Sequence, residues 1–323
     1  MTPSPDPTDV GITIPLVGPL AESARELTAA GYGGLWSAET ATYDAFTPLA
    51  AAAAAAPGAT VGAAIASVFA RGPGLLAMSA AALADLAPGR FLLGIGASSA
   101  TMTENWHAAT YDRPLARVRD TARFLRAALG GEKVSTTYET FAVRGFRLEQ
   151  PPATPPPVLV AALAPGMARL GVEEADGLVL NWLSAADVTT VLGWAGAPGT
   201  VAARIFVCPS TATDTVRTAA RRLVSTYATV PGYARFHRRL GRGPRLERTW
   251  TCWAAGDRRA ATAAVPDEVV DDLIVHGSPD ECARRIRAYV DAGVTHPVVK
   301  LLPLDPDQEL RTAALTLGAA LKG

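Results

Sequence analysis

The residues best suited to contact a ligand lie at the end of one apolar segment. Phe91–Gly96 (FLLGIG) ends in a Gly-x-Gly pair, Gly94 and Gly96, and is followed by the small residues Ala97 and Ser98. Because glycine has no Cβ, a ligand or another stretch of backbone can approach such a segment closely. A buried strand that ends in this way is typical of one wall of a binding site.

Polar side chains end or follow two further apolar runs. Glu39 comes directly after Gly34–Ala38 (GLWSA), where a carboxylate would face a bound ligand, and an exposed or helix-capping glutamate is the alternative. The run Gly177–Trp182 ends in Asn181 and Trp182. An amide beside a large aromatic ring can hydrogen-bond the edge of a heterocycle and cover its face. A buried tryptophan with a capping asparagine would give the same pattern.

A helix start follows the apolar run Val158–Leu163. Pro165 suits the first helical position, and no acidic side chain caps the helix that it begins. The free amides of Gly166 and Met167, together with the helix dipole, are suited to a phosphate oxygen. An ordinary helix start is the alternative.

Other kinds of chemistry are poorly represented. The four histidines are scattered without the spacing of metal ligands, so no metal site is predicted. The chain has neither a Gly-x-Ser-x-Gly motif nor a Walker loop. Apolar, glycine-rich strand ends with few acids and bases suit a flat organic cofactor that supplies its own reactivity.

The composition is that of a globular protein, with 49% hydrophobic and 19% charged residues in a chain of 323. A formal net charge of zero argues against nucleic acid or an anionic membrane as the main partner. The alanine run Ala50–Ala56 is too short to cross a membrane. We expect a cytoplasmic protein, because residues 1–7 lack the pattern of an export signal and three widely spaced cysteines do not suggest a disulfide framework.

Eight short apolar runs alternate with helical segments along the chain. This order predicts an α/β fold, a single (β/α)8 TIM barrel domain over residues 1–323, in which ligands bind at the carboxyl ends of the strands. A doubly wound open sheet is the alternative, but the strand count and the lack of a Gly-x-Gly-x-x-Gly fingerprint after the first run favour the barrel. The predicted strands are Val10–Pro15, Gly34–Ala38, Thr60–Ala66, Phe91–Gly96, Val158–Leu163, Gly177–Trp182, Arg204–Cys208 and Pro297–Leu302.

Two departures from a plain barrel are predicted. Partial alternation of apolar residues between Tyr138 and Leu148 indicates a β-hairpin inserted between strands 4 and 5. An extended helical region separates strands 7 and 8. A long loop, Glu104–Asp112, is expected before a helix over Arg113–Leu129, and a final helix is expected over Gln308–Leu321.

The helical region contains a strongly basic segment, Arg235–Arg248. One interpretation is a solvated helix and turn. The other is a lid in which Arg238 and Arg239 contact the acidic tail of a coenzyme or an anionic substrate.

Several segments, taken in order, resemble the bacterial-luciferase-like superfamily, and more closely its members that use the deazaflavin coenzyme F420. The segments are Gly89–Ser99, Trp106-His107 with Arg113-Pro114, Ala161–Met167, Asp176–Leu183 (DGLVLNWL) and Gly277–Leu302. The resemblance implies a (β/α)8 barrel that forms a homodimer and has a hairpin between strands 4 and 5. It also implies that the flavin or deazaflavin lies in the mouth of the barrel.

The resemblance assigns cofactor contacts to particular residues. It implies a non-prolyl cis peptide in the third strand, for which Ala64–Ile65 is the best candidate by position, and a tail phosphate at Gly166 and Met167. Relatives often have a glycine and then Pro-Lys where this chain has Leu163–Gly166, so one phosphate or tail contact is missing. The residues expected to bind the cofactor are Ala64, Ile65, Gly94, Gly96, Ala97, Ser98, Ala162, Leu163, Ala164, Gly166, Met167, Asn181 and Trp182.

The implied reaction is hydride transfer between coenzyme F420 and a small organic substrate that the sequence does not identify. Glu39 is the first candidate for a polar or proton-transfer role, followed by His107 and Glu104. The alternatives are an FMN-dependent luciferase-like monooxygenase on the same barrel and a non-catalytic flavin-binding barrel.

Overall fold

The computed structural model describes residues 9–14, 18–304 and 309–322, and its main feature is a closed barrel of eight parallel strands. Each barrel strand pairs with its two neighbours, and pairing of the last strand with the first closes the ring. The predicted barrel is therefore confirmed and the open sheet is wrong. The barrel strands are β1 (Gly11–Thr13), β2 (Gly34–Ser37), β3 (Thr60–Ser67), β4 (Phe91–Gly96), β7 (Val158–Ala161), β8 (Gly177–Asn181), β9 (Thr200–Cys208) and β11 (His296–Leu301).

The helices lie outside this ring. They are α1 (Leu20–Ala30), α2 (Phe46–Ala55), α3 (Pro73–Leu86), α4 (Ala100–His107), α5 (Pro114–Leu129), α6 (Pro165–Glu173), α7 (Ala185–Ala195), α8 (Thr213–Ala228), α9 (Pro231–Arg239), α10 (Gly243–Ala254), α11 (Arg258–Ala263), α12 (Asp267–Leu273), α13 (Pro279–Asp291) and α14 (Glu309–Leu321). Within the described ranges, none of the helices is long and apolar enough to span a membrane.

Both predicted insertions are present. Strands β5 (Val134–Thr137) and β6 (Ala142–Phe146) form the antiparallel hairpin between β4 and β7. Helices α8 to α13 lie between β9 and β11. Val224 of α8 and Leu246 of α10 belong to a second hydrophobic cluster, which also includes Phe206 of β9. A short strand that the sequence did not predict, β10 (Ile274–His276), pairs with the end of β9.

Several predicted boundaries are wrong. Strand β9 begins at Thr200 rather than at the predicted Arg204, so it has nine residues. The prediction began too late because the alternation of a half-buried strand is weak over the first residues. The segment expected to be a loop after β4 forms helix α4, since the Ser99 hydroxyl accepts a hydrogen bond from the Met102 amide at 3.2 Å and caps the helix. The predicted ends at Pro15 and Gln308 lie outside the described residues.

One large side chain fills the amino-terminal half of the barrel. Trp36 points inward from β2 and is only 1% exposed. A Cβ on Gly11 or Gly62, on the two neighbouring strands, would collide with the Trp36 indole ring. These glycines therefore give the ring its space, and the lower part of the barrel is closed to ligands.

Strand β3 is irregular at its carboxyl end. Its register against β4 shifts between Ala63 and Ala66, and the Ala64–Ile65 peptide bond is cis, as the resemblance predicted. Gly94 lies directly opposite, and a Cβ there would collide with the Ala63 carbonyl oxygen. The first glycine of the Gly-x-Gly pair is therefore required by the protein's own backbone.

Candidate active site at the carboxyl ends of the strands

Among the described residues, those facing the barrel interior keep accessible surface toward the carboxyl ends of the strands. Inward-facing residues nearer the amino ends, such as Leu159, Ala202 and Val298, are completely buried. Seven inward-facing residues in the carboxyl-terminal parts of the strands keep part of their surface accessible. They are Thr13, Ala38, Ile65, Ala161, Asn181, Arg204 and Lys300. They line a recess in the mouth of the barrel, where TIM barrels bind their ligands.

One side of this recess is apolar. It is formed by the ends of β3, β4 and β7, where Ala64, Ile65 and Ala161 surround the glycines of β4. A Cβ on Gly96 would lie 2.9 Å from the Ala161 Cβ and 3.2 Å from the Ile65 Cδ1. The result is a smooth surface of small side chains, which suits the flat face of an aromatic ring system. We call these strand ends the apolar half.

The opposite side is polar and positively charged. Asn181, Arg204, Lys300 and Thr13 point inward from the adjacent strands β8, β9, β11 and β1, and Asn181 and Arg204 are register partners. In a ring of eight strands β9 lies across from β3, and β11 lies across from β4. We call these four residues the polar half.

Three polar atoms of the polar half are buried without a hydrogen-bond partner among the described residues. They are the Thr13 Oγ1, the Asn181 Oδ1 and the Arg204 Nε. The Asn181 Nδ2 donates to the Tyr233 hydroxyl at 2.8 Å, which fixes the orientation of the amide. Buried polar groups are normally hydrogen-bonded, so unused groups gathered around one recess mark a place for a ligand.

Burial also changes the acidity of the polar half. It lowers the pKa of the Arg204 guanidinium, and it lowers the pKa of Lys300 to about 8, with the nearby charge of Arg204 adding to the shift. Burial raises the pKa of Tyr233 to about 12, so this hydroxyl stays neutral.

Glu39 lies beside the cis peptide rather than free in the recess. Its Oε2 accepts a hydrogen bond from the Ser67 amide at 2.7 Å, its Oε1 is 2.5 Å from the Arg71 Nε, and its own amide donates to the Ile65 carbonyl. Arg71 also pairs with Asp44 at 3.0 Å. Both carboxylate oxygens are thus used to hold the end of β3, which supports a positioning role more than proton transfer.

The other two candidates for catalysis are not brought to Glu39. Glu104 and His107 are exposed on α4, and Trp106 between them is 53% exposed. The Ser98 hydroxyl, just before this helix, lies 3.4 Å from the Met102 sulfur. These residues form the rim after β4 rather than the recess itself.

The start of α6 has the arrangement predicted for a phosphate site. Pro165 is the first helical residue, and Ala164, which precedes it, makes no side-chain cap. Leu163, Gly166 and Met167 are partly accessible. The helix therefore presents uncapped amides next to the apolar half, as anion sites at helix N-termini do.

Two residues predicted to bind a cofactor are placed elsewhere. Trp182 is 1% exposed, and its ring stacks on Phe206 with the centroids 4.0 Å apart, so the protein itself covers the face that a ligand would need. The Ala162 side chain is buried in the core between the barrel and the helices. Side chains alternate along a strand, so Ala161 points into the recess and Ala162 points away from it.

Comparison with known proteins agrees with this geometry. A family model described as luciferase-like monooxygenase matches residues 6–296. The chain belongs to this family. The resemblance inferred from the sequence motifs is therefore confirmed.

Relatives and solved structures add to this assignment. A 5,10-methylenetetrahydromethanopterin reductase of Archaeoglobus fulgidus is 27% identical over 252 residues, covering 73% of this chain and 75% of the relative. An F420-dependent glucose-6-phosphate dehydrogenase of Rhodococcus erythropolis is 28% identical over 242 residues, covering 71% and 68%. The coenzyme F420-dependent tetrahydromethanopterin reductase of Methanopyrus kandleri has the same fold, with a TM-score of 0.73 at 20% identity, over 98% of this chain and 95% of that one.

The basic segment of this luciferase-like chain is only partly free. The Arg242 guanidinium is buried and lies 2.6 Å from an Asp187 carboxylate oxygen, and Arg238 stacks on the Trp250 ring at 3.9 Å. These two arginines stabilise the packing of the helical region. Arg235, Arg238 and Arg239 are all exposed. Burial raises the pKa of Tyr111 in the loop after α4, and the nearby charge of Arg235 opposes this shift.

The sequence analysis missed the polar half except for Asn181. Arg204 was placed at the start of a strand, and Lys300 was not singled out. The signal was present, because Ala202, Arg204 and Phe206 share one face of β9 by simple alternation. Placing the start of β9 correctly at Thr200 would have put Arg204 in the middle of the strand, on the inward face and beside Asn181 of β8.

Proposed function

We propose that this protein is a coenzyme F420-dependent oxidoreductase that transfers a hydride between the deazaflavin and a small organic substrate. The observation that carries the proposal is the apolar half of the recess lying next to the uncapped start of α6. A flat ring with an anionic tail needs those two surfaces side by side. Relatives named as F420-dependent enzymes support the choice of deazaflavin over FMN.

The described residues fit such a coenzyme. Ala64, Ile65 and Ala161 would hold the ring face, the Asn181 Oδ1 would accept from a ring N–H, and the amides of Gly166 and Met167 would hold the tail phosphate. The bound coenzyme supplies the hydride chemistry. The protein's part is to orient the two reactants and to exclude water from the recess.

Glu39 has a positioning role in this proposal. Its hydrogen bond with the Ser67 amide and its ion pair with Arg71 hold the strand end that carries Ile65. Tyr233 also has a positioning role, since its hydroxyl accepts a hydrogen bond from the Asn181 Nδ2 and so fixes the amide.

Titration of the purified protein with F420, followed by the fluorescence of the coenzyme, tests the proposal. We expect saturable binding that is weakened at least tenfold in Gly166→Asp, because a carboxylate there would repel the tail phosphate. Gly166→Asn is the matched control, since it has the same size without the charge. A Cβ at this position meets only the Leu115 side chain at 3.6 Å, so both variants should fold.

Other results of this titration would reject the proposal. Tight binding of FMN with no binding of F420 would favour an FMN-dependent monooxygenase instead. Saturable F420 binding without hydride transfer to a broad panel of alcohols, enones and imines would favour a non-catalytic binding protein.

We also propose that the protein is a cytoplasmic homodimer. Leu75, Met78 and Leu86 on α3 are each about half exposed, and a second copy would cover them. None of the three cysteines forms a disulfide, which fits a reducing compartment. Light scattering should give twice the mass of the chain for the wild type and the mass of one chain for Met78→Glu; a wild-type monomer would contradict the proposal.

A further inference from the structure

The polar half contains two cations that the mechanism proposed above does not use. Arg204 and Lys300 lie on neighbouring strands, and Lys300 is one step nearer the mouth because its register partner on β9 is Phe206 rather than Arg204. Both side chains point into the recess. Thr13 and Asn181 flank them on either side.

No carboxylate of the described chain neutralises these cations. The titratable groups that influence Arg204 are Tyr227 and Tyr233, neither of which is a carboxylate, and the charge near Lys300 is Arg204 itself. Two like charges placed close together in a protein interior are unfavourable unless something compensates them. An anion bound between them would do so.

The opposite wall of the recess indicates that this anion belongs to the substrate. Arg204 on β9 lies across from Ala64–Ile65 on β3, and Lys300 on β11 lies across from the β4 glycines. A coenzyme ring resting on the apolar half would turn its free face toward these cations. The space between the ring and the cations is the space that a substrate must occupy in order to exchange a hydride.

We propose that Arg204 and Lys300 form an anion-binding subsite for the substrate, with the Thr13 hydroxyl as a flanking hydrogen-bond donor, and that the substrate therefore carries a carboxylate or a phosphate. This inference rests on the proposed function for the position of the ring. The guanidinium would hold the anion through directed N–H bonds, and the ammonium would act as a point charge. A neutral substrate would leave both cations uncompensated.

Two simple anions serve as probes of the subsite. Sulfate has the shape of a phosphate group, and acetate carries a carboxylate. Isothermal titration calorimetry at pH 7, with and without saturating F420, should show binding of at least one of them in the wild type. Saturating F420 occupies the α6 amides, so anion binding that remains belongs to the polar half.

Variants locate the binding. Arg204→Gln and Lys300→Gln should each weaken anion binding by about tenfold, the double variant should abolish it, and Arg204→Lys should restore part of it. Arg287→Gln, which changes an exposed arginine on α13, is the control and should bind like the wild type. Circular dichroism confirms that each variant is folded.

Three outcomes would overturn the proposal. They are no anion binding to the wild type, anion binding that survives in the folded double variant, or loss of F420 affinity by tenfold or more in Arg204→Gln. The last would mean that the cations serve the coenzyme's own negative groups. Anion binding that depends on Arg204 in a protein that fails to bind F420 would refute the proposed function and leave the subsite in place.

Discussion

The two halves of the barrel mouth use their residues in opposite ways. In the apolar half, the glycines of β4 are needed by the protein itself, because the Ala63 carbonyl and the Ala161 side chain occupy the space that their side chains would take. In the polar half, hydrogen-bonding atoms and charges of Arg204 and Lys300 have no described partner to satisfy them. The comparison shows that glycines at a strand end can be required by the packing of the protein itself and need not leave free space.

The two halves also differ in whether their residues stabilise the fold or serve ligand binding at a cost in stability. Close packing in the apolar half stabilises the barrel and at the same time produces a smooth surface. Cations that have no carboxylate partner within the described part of the chain destabilise the folded protein, and a bound anion would offset that cost. Substitutions in the first half should therefore harm folding, whereas some substitutions in the second should improve it.

The largest effect should come from Gly94→Ala. The new methyl group would collide with the Ala63 carbonyl oxygen, which is backbone and moves little, so we expect a loss of about 3 kcal/mol in the free energy of unfolding. Urea denaturation measures it. The matched control is Gly193→Ala on α7, where nothing lies within 4 Å of the new Cβ, and where helix propensity should raise stability by about 0.5–1 kcal/mol. Equal stability of the two variants would show that the β4 glycine is not needed for packing.

Glu39→Ala should have the next largest effect. It removes both the acceptor for the Ser67 amide and the partner of Arg71, so we expect a loss of about 2 kcal/mol in unfolding free energy together with weaker F420 binding. Glu39→Gln keeps an acceptor oxygen and should recover part of both losses. If Glu39 instead acted in proton transfer, Glu39→Gln would bind F420 normally and have turnover as low as Glu39→Ala.

Lys300→Met should stabilise the protein. Burial lowers the pKa of Lys300 to about 8 in the folded state, against about 10.4 in an unfolded chain. Between these values the unfolded state binds more protons, so wild-type stability rises with pH across this window. At pH 7 the full penalty is present, and we expect the variant to be about 1 kcal/mol more stable.

The pH dependence supplies the check on this prediction. The stability difference between Lys300→Met and the wild type should shrink as the pH rises from 8 to 10, measured by urea denaturation. Arg204 is the charged group facing Lys300, and its charge adds to the lowering of the pKa of Lys300. A difference that is constant with pH would mean that Lys300 is solvated and carries no burial penalty.

The sequence predicted the apolar half far better than the polar half. Alternation, strand count and the Gly-x-Gly pair depend on local patterns, and they located β4, the hairpin and the Ala64–Ile65 bond. The polar half depends on which residues of β9 and β11 meet across the barrel, and that register is a tertiary property. Ala161 points into the recess and Ala162 points away from it, and this difference likewise follows from orientation rather than from residue type.

The smallest effect should come from the basic segment. Arg238 stacks on Trp250, so Arg238→Gln should lower stability by about 0.5–1 kcal/mol and leave F420 affinity unchanged. Arg239 is exposed, and a lid role predicts that Arg239→Gln weakens F420 binding in low salt but not in high salt. Fluorescence titration at two ionic strengths distinguishes the two arginines. An affinity loss in Arg238→Gln that salt abolishes would place this residue at the coenzyme tail, and the positive charge of the recess would then extend from the polar half onto α9.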